Sequence, residues 1–494
     1  MSDDAEHCTS EFKLLPALLK EQGYFTLALG KWDVGQIAKK CTPTFSGFDA
    51  FVGYYSACLS DYWYHWSPNQ CDDVGFGPKG APYVDFQNST LGEISPAAAD
   101  LNGTYNAHIF TAEAIRHIER TAAQPASARQ PLFVYLAYQN VHLACGKEPA
   151  NVAVASAKAH GLQAPCGTVD LYAHLDQDEW KVQGAMATEL DYGVGNVTAA
   201  LQRSGLWPNT VLFLVSDNGA QLDHGYNWPL RGGKHTWFEG GVRVVAWLAS
   251  PLLPAAVRGT QFNGMAHSSD WYVTLVEGLA GGSVAGSGAR ASDGLNLWPA
   301  MISGGPSPRR EVVHGVNNSH YDAFAGISYD AHGNEVSHGE CDGSCGVAIR
   351  VDNYKLIIGH PGDDRWMQFP APNASRATPF GASGGTHEVG TDHCRAPPSV
   401  YKAPPGSGTY LFDLSNDLAE RNNLASDPAH AALIATLTQR LIEAGKDGPP
   451  PAYVATTPAE ATALDANECA ATQRCGTLEP GDLYPTPPPT RSPQ

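Results

Sequence analysis

Two oxygen-bearing side chains follow a short apolar segment in the middle of the chain. Val211-Leu-Phe-Leu-Val215 lies between Pro208 and Gly219 and predicts a strand buried on both faces, as in a parallel sheet. Asp217 and Asn218 follow it, and open α/β sheets place their sites at the carboxyl ends of strands. These oxygens could bind a divalent cation, although Asp-Asn-Gly alone is also common in plain turns.

A lysine follows within a glycine-rich segment. Lys234 lies in Arg231-Gly-Gly-Lys-His-Thr-Trp-Phe-Glu-Gly-Gly-Val-Arg243, where it could bring a positive charge to an anion held by the metal. A single lysine between glycines is more often solvated, so the prediction depends on the two segments occurring together.

The combination resembles the sulfatase family, especially its arylsulfatase B-like members. Further segments similar to the family lie on both sides of it, so that the resemblance covers roughly residues 10 to 445. The matching segments are Leu14-Leu-Pro-Ala-Leu-Leu-Lys-Glu-Gln-Gly-Tyr24, Leu29-Gly-Lys-Trp-Asp-Val-Gly35, Gly47-Phe-Asp-Ala-Phe-Val-Gly-Tyr54, Gly195-Asn-Val-Thr-Ala-Ala-Leu201, Ser204-Gly-Leu-Trp207, Ala348-Ile-Arg350, Tyr354-Lys-Leu356 and Leu411-Phe-Asp-Leu414.

The resemblance implies a sulfuric ester hydrolase acting on sulfated carbohydrate or aryl sulfate. It implies that Asp217 and Asn218 are ligands of a divalent ion, Ca²⁺ being expected because it favours oxygen donors. It also implies that Lys31 and Lys234 contact the sulfate, and that His142 binds it or protonates the leaving oxygen. Without the resemblance, His142 would be interpreted as a structural histidine at a strand end.

The sequence departs from the family in three places. Neither the strand that ends in paired, metal-binding aspartates nor Cys-x-Pro-Ser-Arg, whose cysteine becomes the formylglycine nucleophile, is present. Cys41-Thr-Pro-Thr-Phe45 is a near match, but Phe45 replaces the arginine. Asp33 stands where the family has a histidine that contacts the nucleophile; its carboxylate could pair with Lys31 or Lys234, or help bind a metal.

One hypothesis explains several unusual features of the chain. No signal peptide is recognisable at Met1, yet five glycosylation sequons and 11 cysteines suit an exported protein. The odd number of cysteines leaves at least one unpaired, as would follow if its partner lay in a lost N-terminal segment. We expect that an N-terminal segment has been lost, in the gene model or in nature. A secreted or lysosome-like location is expected by resemblance, and the formylglycine-generating enzyme is an expected partner only if that segment exists. The resemblance also predicts a Cys8–Cys41 disulfide.

Composition limits the remaining function classes. The 494 residues are 43% hydrophobic, which suffices for one large unit and a small one. A formal charge of −19 argues against a nucleic-acid partner, and no run approaches 18 apolar residues, so no membrane span is predicted.

The elements that must position these residues alternate along the chain. Helices are predicted at 12–22, 109–120 and 186–201, and strands at 24–29, 132–138 and 211–215. This alternation predicts an α/β fold with a mostly parallel central sheet flanked by helices, and the resemblance makes it alkaline phosphatase-like. The loop from 143 to 180 is expected to lie over the site.

The pattern changes towards the C-terminus. A hairpin at 347–358, a strand at 409–414 and a helix at 433–441 predict a small antiparallel sheet with one packed helix. We therefore expect a catalytic domain over 1–320, an α+β domain over 321–446 and a Pro-rich tail over 447–494.

Two alternatives to a sulfatase remain open: a phosphoesterase of the same metal-dependent superfamily, and a degenerate, non-catalytic protein that binds glycans. The genomic DNA upstream of Met1 would discriminate the sulfatase from the degenerate protein. From the residues as given, we expect negligible turnover of an aryl sulfate.

Overall fold

The computed structural model describes a set of segments that together contain both predicted units. These are residues 13–34, 39–55, 62–63, 65–67, 83–84, 86–90, 101, 103–144, 161–175, 178–222, 225–287, 293–315, 321–322, 327–329, 335–336, 347–359, 361–362, 364, 366 and 408–446. The predicted C-terminal tail lies outside these residues.

Eight α-helices are described in these segments. They are α1 (Leu15–Glu21), α2 (Asn106–Ala122), α3 (Cys166–Val169), α4 (Asp178–Arg203), α5 (Glu239–Val242), α6 (Ser268–Val273), α7 (Trp298–Ser303) and α8 (Ala431–Lys446).

Fifteen strands are described. They are β1 (Phe25–Lys31), β2 (Ala50–Tyr54), β3 (Trp66–Ser67), β4 (Tyr83–Val84), β5 (Gln87–Thr90), β6 (Leu132–Ala137), β7 (Leu212–Val215), β8 (Ala246–Ala249), β9 (Glu311–Gly315), β10 (Tyr321–Asp322), β11 (Ile327–Tyr329), β12 (Glu335–Val336), β13 (Val347–Val351), β14 (Tyr354–Ile358) and β15 (Thr409–Asp413).

The largest sheet of the N-terminal unit is mixed, with the order β5-β2-β1-β6. β1 pairs in parallel with β2 and β6, whereas β5 joins β2 in the antiparallel direction. β1 takes the central position because its apolar residues can be buried on both faces. The parallel arrangement brings the carboxyl ends of β1, β2 and β6 to one edge, which is where the predicted site residues of β1 and β6 follow.

Helices cover the two faces of this sheet. Leu27 and Leu29 face the core that Phe110 of α2 and Leu201 of α4 complete. Ala28 points to the opposite face and packs near Trp32, Phe48 and Phe51. Helices α1 and α6 share a further apolar cluster, whose buried members are Leu18, Leu19, Val273, Val276 and Val284. The predicted α/β architecture, with parallel strands between helices, is therefore confirmed.

One predicted strand differs from the expectation. β7 was expected to be buried on both faces of a parallel sheet, but it pairs antiparallel with β8 and is only partly buried. Among the described strands β7 pairs only with β8, and β6 only with β1. Val215 and Tyr135 are correspondingly exposed, at 44% and 49%.

The C-terminal unit contains the predicted small antiparallel sheet. Its order is β15-β14-β13-β9, and α8 packs on one face through Leu437 and Leu441. β9 precedes residue 320, so this sheet begins before the boundary that the sequence suggested. Phe238 of the N-terminal unit packs with Ile357 and Phe412 on the other face.

Candidate active site

Lys31 and Asp33 lie at the end of β1. Lys31 is the last residue of the strand and pairs in register with Tyr54 of β2. Asp33 has a left-handed backbone, with φ of 52°, and its amide donates a hydrogen bond to the Tyr55 carbonyl. This turn brings the Asp33 carboxylate to 3.3 Å from the Lys31 ammonium. Of the three roles left open for Asp33, the structure therefore shows the ion pair with Lys31.

His142 follows β6 and is held in one orientation. Its Nδ1 donates to the Leu143 carbonyl at 2.7 Å, which leaves Nε2 as an acceptor. The Lys234 ammonium donates to this Nε2 at 3.2 Å. Burial and the charge of Lys234 lower the pKa of His142, so the imidazole is neutral around pH 7.

Lys234 is presented by a loop that is tied to the turn after β7. Its amide donates to the Ala220 carbonyl, and the side chain of Asn227 bonds both the amide and the carbonyl of Ala220. Burial and the charge of Lys31 lower the pKa of Lys234. Lys31 is thus near enough to disfavour the charge of Lys234, which an anion bound beside both would relieve.

Asp217 and Asn218 form the turn directly after β7. Gly219 allows this turn to pack against the following loop, because a Cβ there would lie 1.7 Å from the Gly240 carbonyl oxygen. The Asp217 carboxylate accepts from the Asn218 amide at 2.8 Å. The negative charge of Asp217 raises the pKa of His142 and of Lys234, although burial and the neighbouring lysine lower both by more. The three groups therefore belong to one electrostatic site.

The described residues supply only part of a calcium site. Asp217 and Asn218 offer two side-chain oxygens, whereas Ca²⁺ takes six to eight oxygen ligands. Within the described segments, no group of three or more His, Cys, Asp or Glu side chains could hold a metal ion. These residues do not by themselves fit the ion.

Cys41 is not available as a nucleophile. It is disulfide-bonded and buried, so its sulfur carries no reactive thiolate. This agrees with our dismissal of the Cys-Thr-Pro-Thr segment as the nucleophile motif. Cys8, the predicted partner of Cys41, lies outside the described residues, and that pairing stays a prediction.

Sequence reasoning missed a buried ion cluster beside the Lys234 loop. The Lys355 ammonium lies 3.0 Å from the Glu239 carboxylate and 2.9 Å from that of Glu420, and all three side chains are at most 2% exposed. Glu420 also accepts from the Glu239 amide at 2.6 Å. Glu239 belongs to the recognised motif, but its partners are 116 and 181 residues away, and nothing local indicates them.

The two carboxyl groups of this cluster differ in pKa, although burial acts on both in the same direction. Burial raises the pKa of Glu420 to about 7, against the opposing effect of Lys355. For Glu239, burial acts in the same direction, but Lys355 and Arg350 outweigh it and lower its pKa to about 2. The cluster therefore holds Glu239 as an anion and lets Glu420 take up a proton near neutral pH.

Arg231 fixes the other end of the Lys234 loop. Its guanidinium donates to the Glu420 carbonyl and to the Asp364 carboxylate, and it lies over the rings of Phe238 and Trp366. The segment that carries Lys234 is thus attached to the C-terminal unit both before and after the lysine.

Taken together, the residues predicted from three separate parts of the chain form one electrostatic site. Lys31, His142 and Lys234 present two cations and a neutral imidazole, with Asp33 and Asp217 beside them. Such an arrangement can bind an oxyanion and stabilise negative charge that develops on it. The individual role of each residue stays a prediction.

A family model described as Sulfatase matches residues 4–281. Among curated proteins, arylsulfatase J of Mus musculus is 32% identical over 441 residues, which is 89% of this chain and 63% of that protein. N-acetylgalactosamine-6-sulfatase of Homo sapiens is 28% identical over 299 residues, 59% of this chain and 49% of that protein. The chain thus spans between about half and two thirds of the length of these relatives.

Solved structures share the fold at low sequence identity. The crystal structure of Ps i-CgsB in complex with k-i-k-neocarrahexaose is 20% identical, with a TM-score of 0.61 over 96% of this chain and 81% of that chain. The PsFucS1 sulfatase from Pseudoalteromonas sp. is 19% identical, with a TM-score of 0.55 over 88% of this chain and 74% of that one. The described helices contain none that is long and apolar enough to cross a bilayer.

Proposed function

The chain belongs to the sulfatase family, and from this membership we propose that it acts on sulfuric esters at the site formed by Lys31, His142 and Lys234. The observation that supports the proposal is the contact between His142 and Lys234, with Lys31 close enough for its charge to lower the pKa of Lys234, because two such cations could share one ester sulfate. A sulfated carbohydrate or aryl sulfate is the proposed substrate class, supported by the relatives named for the sulfated sugar N-acetylgalactosamine.

The proposed chemistry follows from charge. When the S–O bond of an ester breaks, negative charge develops on the bridging and non-bridging oxygens, and Lys31 and Lys234 stabilise it. His142 starts as a neutral acceptor from Lys234, so it must gain a proton before it can protonate the leaving oxygen. Since the pKa of His142 is lowered, that protonated form becomes more abundant as the pH falls below 6.5.

Two parts of a complete sulfatase mechanism are not assigned to described residues. Cys-x-Pro-Ser-Arg does not occur among the 494 residues, and no nucleophile is proposed. Sulfatases are generally metal-dependent, and we propose that Asp217 and Asn218 would be two of the ligands of a Ca²⁺ ion, which would neutralise part of the sulfate charge. Further ligands would be required. We also propose a secreted or lysosome-like location for the protein, as the family resemblance implies.

A second candidate is a sulfated-glycan-binding protein without catalysis. The ion pair between Lys31 and Asp33 favours it, because an ionised carboxylate cannot donate a hydrogen bond to a nucleophile, as the histidine at this position in the family would.

The test compares turnover with binding. The chain is expressed with the formylglycine-generating enzyme and Ca²⁺, and hydrolysis of 4-nitrophenyl sulfate and binding of methyl sulfate are measured for the wild type and Lys234→Met. We expect methyl sulfate to bind the wild type and Lys234→Met to weaken that binding at least tenfold. Hydrolysis of 4-nitrophenyl sulfate by the wild type that Lys234→Met abolishes would support the hydrolase, whereas binding without hydrolysis would support the second candidate. Lys181→Met, which removes an ammonium paired with Asp178 on α4, is the control and should bind normally. Binding that is the same in Lys234→Met and the control would contradict the proposed site.

A further inference from the structure

The charged groups of the candidate site balance one another. Lys31 and Lys234 contribute two positive charges, and Asp33 and Asp217 contribute two negative charges, so the formal sum of these four is zero. Asp33 acts on both cations, since it pairs with Lys31 and its charge also reaches Lys234. An anion that enters the site must therefore share Lys31 with a carboxylate of the protein itself.

The position of Asp33 is fixed by the backbone rather than by a flexible side chain. Its left-handed conformation, with φ of 52°, and its amide bond to the Tyr55 carbonyl turn the chain back towards Lys31. The side chains of Lys31 and Asp33 are only 29% and 22% exposed. Water therefore screens their interaction incompletely, and the carboxylate acts on any ligand that contacts Lys31.

We propose that Asp33 sets the charge selectivity of the site, favouring monoanionic sulfuric esters over dianions such as inorganic sulfate and phosphate monoesters. The inference rests on the proposed function of this site. A sulfuric ester carries one negative charge, whereas the sulfate ion released by its hydrolysis carries two. The Asp33 carboxylate repels each of those charges, so it weakens the product more than the substrate.

The size of the effect follows from Coulomb's law. Two unit charges roughly 6 Å apart, at an effective dielectric constant of about 40, interact strongly enough to change a binding constant about tenfold. A dianion experiences about twice the interaction free energy of a monoanion. Removing the Asp33 charge should therefore change the ratio of the two affinities by about tenfold.

The experiment uses two ligands that differ in charge but share the sulfate group. Methyl sulfate, the monoanion, and inorganic sulfate, the dianion, are titrated by calorimetry at constant ionic strength into the wild type and Asp33→Asn. Asparagine is nearly isosteric with aspartate and tolerates the left-handed conformation equally well, so the fold should be preserved. Glu443→Gln, at an exposed position of α8 in the C-terminal unit, is the control for net charge.

We expect Asp33→Asn to bind both ligands more tightly and to gain about tenfold more for sulfate than for methyl sulfate, with no such change in Glu443→Gln. An unchanged ratio in Asp33→Asn, with binding that still depends on Lys234, would overturn the inference and leave the proposed function intact. Failure of Lys234→Met to weaken either ligand would overturn the proposed function, and the inference with it.

Discussion

The buried ion cluster offers the sharpest test of how the two units hold the Lys234 loop. Lys355→Met removes the ammonium between Glu239 and Glu420 while keeping most of the side-chain volume. Breaking a buried ion pair from one side costs about 3–5 kcal/mol, because the remaining charge has neither water nor a partner. The free energy of unfolding should fall accordingly.

The lower end of that range is the better expectation for this cluster. Glu239 keeps two other cations, Arg243 at 3.4 Å and Arg350 at 3.8 Å. Glu420 can escape its charge by taking up a proton, since its pKa is already raised to about 7 by burial. We therefore expect a loss of about 3 kcal/mol at neutral pH, and Glu420→Gln added to Lys355→Met should recover part of it.

Urea unfolding followed by tryptophan fluorescence measures this loss, with Arg310→Met as the matched control. Arg310 pairs with Asp352 at 2.5 Å in the same small sheet, but its side chain is 75% exposed, and solvent screens the pair. The control should therefore show no measurable change. Equal stability of Lys355→Met and Arg310→Met would refute the reasoning that burial gives this cluster its weight.

Three further predictions concern pH and packing. Because the pKa of Glu420 is raised from 4.5 to about 7, the native state holds its proton more tightly, so stability should fall by up to about 3 kcal/mol between pH 4.5 and 7. Urea unfolding of Glu420→Gln at a series of pH values should lack this fall. A dependence of stability on pH that is the same in Glu420→Gln and the wild type would contradict the prediction. Gly219→Ala should destabilise the protein by about 1–3 kcal/mol and weaken methyl sulfate binding, because the new Cβ would clash with the Gly240 carbonyl. Gly195→Ala in α4 is the control, since its Cβ would meet no atom of another element within 4 Å. It should change neither the melting temperature nor the binding. In NMR titrations His142 should protonate below pH 6.5, and Lys234→Met should move that pKa upward; titration at or above 6.5 in the wild type would contradict the assigned contacts.

The arrangement of the N-terminal unit could be predicted from sequence because its strands and helices carry strong patterns. β6 is a continuous apolar run, β1 contains Leu27-Ala-Leu29 between Thr26 and Gly30, and α2 has apolar residues on one side at helical spacing. β7 has the same apolar character, yet its burial was predicted wrongly. An apolar run indicates that a strand can be buried, but the strands that pair with it decide whether it is. Pairs as short as β3 and β4 carry no periodicity at all.

The site residues could be found for a related reason. Lys31 ends one strand, His142 follows a second and Asp217 follows a third, and these strand ends can be located from local sequence. The pairing of Asp33 with Lys31 was only one of three possibilities, because the choice depends on a backbone turn with φ of 52°. Local sequence shows that a carboxylate is present but does not show where it points.

The buried position of Lys355 could not be predicted from the sequence. Lys355 precedes Leu-Ile-Ile in β14, and in an alternating strand a lysine normally indicates the solvent-facing side. Here Leu356 faces α8, while Lys355 and Ile357 share the face that packs against Phe238 and the adjoining Glu239, so β14 is buried on both faces. A lysine can be buried on that face only because the carboxylates of Glu239 and Glu420 form ion pairs with it. Its burial therefore indicates that the small sheet and the Lys234 loop stabilise each other. A substitution in the sheet that destabilises it should also destabilise the loop.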